Sequence, residues 1–203
     1  MKKIIFVIAI LLCATFCLTS CELVPTVTDV SYDTINQMIN ADYSELKIEI
    51  NAKPTGESDG IVSEIICRNV NETSKLITYS IQQYATIDID GDTITMPDNK
   101  IVTKTGYAMV NNGAVTSNSG DKVDFDFSAI DKINLVFSAD NFADAKFIDT
   151  VFTADVTNVK AFWGKDVQGV TNAKVSVNVT DWVITLSGTA NGSDVTVVYT
   201  ITK

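Results

Sequence analysis

The sequence predicts a mainly β domain: a long antiparallel meander preceded by one amphipathic helix and joined by one or two short helices. Three observations predict it. Val, Ile, Thr, Tyr and Phe alternate with polar residues at period 2 through most of the chain. Turn pairs such as Asp90-Gly91, Asn112-Gly113 and Asn191-Gly192 separate the alternating runs. The segment S-Y-D-T-I-N-Q-M-I-N, from Ser31 to Asn40, carries the clearest helical spacing. Ile35, Met38 and Ile39 fall at i, i+3, i+4, and Ser31 or Asp33 is placed to cap it.

The elements follow in order. In S-E-L-K-I-E-I, Leu46, Ile48 and Ile50 face one way and Glu45, Lys47 and Glu49 the other. K-P-T-G-E-S-D-G is a loop, I-V-S-E-I-I-C-R-N-V returns, and N-E-T-S turns again. K-L-I-T-Y-S-I-Q-Q-Y places Ile77, Tyr79 and Ile81 on one face. T-I-D-I-D-G-D-T-I-T-M is a hairpin about Asp90-Gly91, and Asn112-Gly113 repeats the device. Val123, Phe125 and Phe127 share one side of a further expected strand, and Ile133, Leu135 and Phe137 alternate in the next. A-D-N-F-A-D-A-K-F reads as a helical turn or loop, and F-I-D-T-V-F-T-A-D-V as a strand. N-V-K-A-F-W reads as a short helix closed by Gly164. Three strands with Asn191-Gly192 in their last loop end the chain, for about ten or eleven in all.

Such strands have one apolar face, and that face must be covered. The helix around Ile35 to Ile39 is too small to cover ten strands. Two solutions remain: a sheet curled as a half-open barrel around the helix, or a two-sheet β-sandwich. The first leaves an apolar cavity.

The N-terminus carries a separate signal. Lys2 and Lys3 precede an almost wholly apolar run from Ile4 to Leu18, shorter than a spanning helix needs. Leu18-Thr19-Ser20-Cys21 then closes it. This resembles the lipobox of bacterial lipoproteins. The resemblance implies cleavage before Cys21, a diacylglyceryl group on its thiol, and acyl anchoring of an extracytoplasmic protein to the bacterial cell membrane. Residues 1–20 are then a signal peptide, 21–31 the lipidated cysteine and a short tether, and 32–203 one β-rich domain. Two or more acyl chains hold a protein stably on a bilayer.

Loss of residues 1–20 removes Lys2 and Lys3 but no acid. It leaves 183 of 203 residues, and 15 basic against 25 acidic becomes 13 against 25, a net of −12. That balance argues against a nucleic-acid partner and against electrostatic adhesion to anionic lipid. Arg68 is the only arginine, so no guanidinium clamp for phosphate can be assembled. Cys13 and Cys17 leave with the signal and Cys21 would be lipidated, so Cys67 stands alone and no intramolecular disulfide is expected. Beside isoleucines, it reads as a small buried hydrophobe.

The chain has no histidine. That removes the usual general base, the Ser-His and Cys-His nucleophile pairs and the common zinc ligand sets. No cofactor motif appears, and no carboxylate pair is singled out by spacing. D-I-D-G-D, from Asp88 to Asp92, is close to a calcium loop, but its glycine precedes the third acid and position 12 is Asn99. A hairpin turn is the stronger reading. Asn71-Glu72-Thr73 reads as an ordinary turn. Trp163 and Trp182 read first as core residues.

A lipidated N-terminus, an early amphipathic helix and a long antiparallel meander look like the lipoprotein-localisation fold, the half-open barrel of LolA, LolB and LppX-like proteins. The resemblance is one of element order over residues 31–203. It implies a concave face that accepts acyl chains or other lipidic ligands. Three functions stand: a membrane-anchored carrier or receptor for a lipid or other apolar ligand, a non-catalytic envelope interaction or structural module with a protein partner and no small-molecule site, and an enzyme, the least supported. The carrier reading expects a cavity lined by inward residues such as Ile77, Tyr79, Phe125, Leu135 and Trp182.

Overall fold

A computed structural model describes residues 30–57, 60–123, 126–127, 130, 132–164, 167 and 169–203. Cys21, the segment before it and most of the tether lie outside the described residues, as does Phe125.

Helix α1, Tyr32–Ile39, opens the described fold. The Ser31 hydroxyl accepts from the Thr34 amide at 3.2 Å, the capping bond that a serine at this position supplies. Ile35, Met38 and Ile39 are buried, as their spacing requires. Ten strands follow: β1 (Glu45–Pro54), β2 (Ile61–Asn69), β3 (Ser74–Ile89), β4 (Asp92–Asn111), β5 (Ala114–Gly120), β6 (Phe142–Ile148), β7 (Val151–Val156), β8 (Val170–Asn178), β9 (Val183–Ala190) and β10 (Ser193–Thr202). A 3-10 turn, Ala139–Asn141, leads into β6, and helix α2, Val159–Trp163, follows β7. Gly164 ends α2 in the left-handed region at φ 64°, as expected.

All ten strands form one antiparallel sheet in the order β5-β4-β3-β2-β1-β10-β9-β8-β7-β6. The sheet is not closed, and the fold is a curled half-open barrel. The two-sheet sandwich is therefore excluded. The order also shows how the meander is built. Two five-stranded meanders join along β1 and β10, which pair without interruption from Glu45↔Thr202 to Pro54↔Ser193. The first and last strands thus form the middle of the sheet. Asp90-Gly91, Asn112-Gly113 and Asn191-Gly192 all have positive φ at both residues, the geometry that their sequences predict for two-residue hairpins. The D-I-D-G-D segment is the turn between β3 and β4.

Three expectations need correction. The strand expected about Val123 and Phe127 is not formed: both lie in the connection after β5, outside the sheet. Ala139–Asn141 is a helical turn as expected, but the residues after it, Phe142–Ile148, form a strand. Asp144 has φ 51° in a bulge between Ala143 and Lys146, which breaks the alternation that would have marked it. The segment from Ile133 to Phe137 is extended but joins no sheet ladder. It belongs to the connection between the two edge strands, β5 and β6. Ten strands at ~4.8 Å make a sheet on the order of 43 Å wide when flat. The connection, about 18 residues long, reaches on the order of 60 Å extended, enough to cross that width. It does so over the concave face, as a strap. Ile133, Leu135 and Phe137 are buried and the residues between them exposed, since one side lies on the apolar sheet.

The core lies between the concave face and a thin inner layer of α1, the strap and α2. Its densest part is a ring cluster. Phe137 meets Phe142, Phe152 and Phe162 at 5.7, 5.9 and 5.3 Å between centroids, and Tyr32 of α1 meets Phe152 at 5.5 Å. Cys67 is buried, with no exposed surface. The convex face carries exposed ion pairs, Lys47–Glu64 at 2.7 Å and Arg68–Glu45 at 2.7 Å, each worth about 0–1 kcal/mol.

Candidate functional site

The strap divides the concave face and leaves part of it uncovered. Beside it lies a groove of about 970 Å³, at the upper end of the roughly 300–1,000 Å³ of ligand pockets. Its floor comes from three adjacent strands at the centre of the sheet: Ile48 and Ile50 of β1, Ile65 of β2, and Val197 and Tyr199 of β10. Register explains the convergence. Ile48 stands opposite both Ile65 and Tyr199, and Ile50 stands opposite Val197. Inward residues on paired strands make one continuous apolar surface.

One wall is the strap, through Ile130, Ile133 and Leu135. Both helices hold it. The Asn36 carboxamide of α1 donates to the Phe137 carbonyl at 2.9 Å and accepts from the Phe137 amide at 3.3 Å. The Val136 amide donates to the Phe162 carbonyl of α2 at 2.9 Å. Trp163 and Gly164 close one end of the groove, and the polar rim is Asn36, Asn40, Asp126, Lys132 and Asn134. Beyond Trp163 and Val197 lies a small, almost wholly apolar cleft against Leu186 and Val195. Across the strap, a second depression of about 620 Å³ shares Asn40, Lys132 and Asn134 with the groove. The concave face is thus apolar toward α2 and polar toward Lys132. Burial in the floor pushes the Tyr199 phenol above its ordinary range.

Of the residues that the sequence singled out, Leu135 lines the groove. Ile77 and Tyr79 are buried in β3 at 0 % and 3 % exposure. Tyr79 lies 5.5 Å from the Phe127 ring, and its hydroxyl donates to the Asp121 carbonyl at 2.5 Å. At Tyr79 the connection, through Asp121 and Phe127, occupies the surface that a ligand would have needed. Trp182 sits in the turn between β8 and β9 at φ 57°, half-buried, with the Lys203 ammonium 3.8 Å over its ring, and it is not part of the groove. Phe125 and Cys21 lie outside the described residues. The sequence reading missed Ile48, Ile50, Ile65, Val197 and Tyr199 as lining and read Trp163 first as core. The alternation of the strand residues was visible; the pairing of β1 with β10 was not.

Among the described residues, no three His, Cys, Asp or Glu side chains come together as a metal site. Among the same residues, no helix is long and apolar enough to cross a membrane. Comparison of the chain with protein families, characterised proteins and solved structures finds no match.

Proposed function

We propose that the chain is an extracytoplasmic lipoprotein, anchored through acyl chains on Cys21, that binds or carries a lipid or other hydrophobic ligand in the concave groove. One observation carries the ligand half of this reading: α1, the strap and α2 leave a groove over the central strands, where Ile50, Val197 and Tyr199 are only half-buried above the buried Ile48 and Ile65. A concave groove with an apolar floor and a polar rim is the usual form of a small-molecule site. The two ends suggest an amphiphile, with its tail toward Trp163 and Leu186 and its polar end toward Lys132 and Asn40. The anchor half rests on Leu18-Thr19-Ser20-Cys21. The reading assigns no catalytic residue and no cofactor beyond the acyl modification.

Native mass spectrometry of residues 22–203, followed by organic extraction, tests the ligand. A stoichiometric adduct that extracts as lipid is expected. Ile50→Lys on the floor should weaken uptake of a fluorescent fatty acid at least tenfold, while Thr196→Lys on the opposite face should not. A clean apo mass with no uptake of fatty acid or phospholipid refutes the carrier. The mass of the full protein from a membrane fraction tests the anchor: residues 1–20 should be absent and acyl mass present on Cys21.

A second reading, an envelope interaction module without a small-molecule site, has one observation in its favour. The outer ends of β3 and β4 carry Ile89, Ile94, Ile101 and Val102, each 49–60 % exposed.

A further inference from the structure

The convex face, opposite the groove, carries a second polar arrangement. Lys47 on this face is neutralised by Glu64. At the far end of β1 to β4 the pattern changes. Tyr84 of β3 is on the convex side yet only 8 % exposed. Lys100, directly across on β4, places its ammonium 5.6 Å from the centre of the Tyr84 ring. Lys53 reaches the same ring from β1, at 4.4 Å. To do so it passes Gly60, just before β2, where the chains approach so closely that a methyl group would lie 2.4 Å from the Ala52 carbonyl oxygen and 2.7 Å from the Lys53 side chain. Val62, 3 % exposed, packs on the same face.

Among the described residues the cluster holds no anion. Neither Lys53 nor Lys100 has a carboxylate within 4.0 Å among the described residues, in a chain of net charge −10. Asn51 donates its carboxamide to the Tyr84 oxygen at 3.1 Å, and its own Oδ1 is buried with no hydrogen-bond partner. The Tyr84 hydroxyl therefore receives a donor, and its proton meets no acceptor among the described residues. Around this one ring, two ammoniums and one O–H supply donors and positive charge with no anion among the described residues.

We propose that Lys53, Lys100 and Tyr84 form a binding site for a small oxyanion group, a phosphate or a carboxylate, on the convex face. The ammoniums provide charge, the phenol donates one directed hydrogen bond, and Asn51 fixes the phenol. The electrostatics agree with this. Burial pushes the Tyr84 phenol up, but hydrogen bonds from Asn51 and Lys53 and the charges of Lys53 and Lys100 together outweigh it and hold the phenol below its ordinary range. Negative charge is favoured at this position.

The test is a titration of the full chain with inorganic phosphate, and in parallel with glucuronate, at ionic strength matched with sodium chloride. Amide and side-chain NMR signals are the readout. A saturable shift of the Asn51 side-chain amide is expected, with affinity reduced at least tenfold by Lys53→Gln and by Lys100→Gln. Phosphate acting alone would identify a phosphate-type ligand, and glucuronate acting alone a carboxylate. An unshifted Asn51 signal, a shift equalled by chloride, or affinity retained in the Lys53→Gln, Lys100→Gln double variant would overturn the site.

Discussion

Replacing Asn36 with alanine removes the clamp between α1 and the strap. Two hydrogen bonds disappear at once, one to the Phe137 carbonyl at 2.9 Å and one from the Phe137 amide at 3.3 Å. Each is worth about 0.5–1.5 kcal/mol net, so a loss of about 1–3 kcal/mol is expected. The lower end applies if water replaces the carboxamide at this half-buried position. The Phe137 ring, 2 % exposed and seated against three other phenylalanines, keeps its contacts, so the fold survives. With a urea slope of about 1–3 kcal/mol per molar, the unfolding midpoint should fall by roughly 1 M. Hydrogen exchange at the Phe137 amide should accelerate more than at strand amides such as that of Leu186. An unchanged midpoint together with an equally protected Phe137 amide would refute the clamp, and with it the view that α1 holds the groove wall.

Two further outcomes are expected. Phe152→Ala deletes a fully buried ring that meets Tyr32, Phe142 and Phe147 at 5.5, 5.4 and 4.9 Å; it should cost about 3–5 kcal/mol by urea unfolding, and a loss near zero would mean that this cluster is not the core. The Tyr199 phenol is raised by burial, so above about pH 10 the unfolded chain ionises while the folded one does not. That contribution is fully present below the unfolded value and is lost as pH rises through the folded one. Tyr199→Phe should therefore flatten the alkaline fall in stability relative to the parent, and parallel curves would contradict burial of that phenol.

Local pattern made much of the architecture legible. Leu46, Ile48 and Ile50 alternate because one face of β1 meets the core. Asp-Gly and Asn-Gly pairs mark hairpins because both residues tolerate positive φ. The failures share a cause. Alternation reports one-sided burial, not a hydrogen-bonded ladder, so Ile133, Leu135 and Phe137 looked like a strand when they form a strap. The Asp144 bulge hid β6 for the converse reason: its backbone is paired but its alternation is broken. At the groove, Leu135 was legible as an inward residue. Val197 and Tyr199 were not legible as neighbours of Ile48 and Ile50. That contact depends on β1 pairing with β10 across the whole chain, and no local signal encodes so distant a pairing.

The groove itself follows from the connectivity. Because β1 and β10 pair, the two meanders run outward from the centre, and β5 and β6 end on opposite edges. The chain must then cross the entire sheet once, and the concave side is where an alternating apolar segment gains burial. A single extended strap is narrow beside a sheet on the order of 43 Å wide. With α1 of eight residues and α2 of five, it leaves a gap over the central strands. Filling that gap with larger side chains would be sterically simple at Ile50 or Val197, both only half-buried. A two-meander sheet closed by one strap thus has an intrinsic opening at its centre. A ligand seated there would touch β1, β2, β10, the strap and α2 together, and so would join the two halves of the fold where they meet.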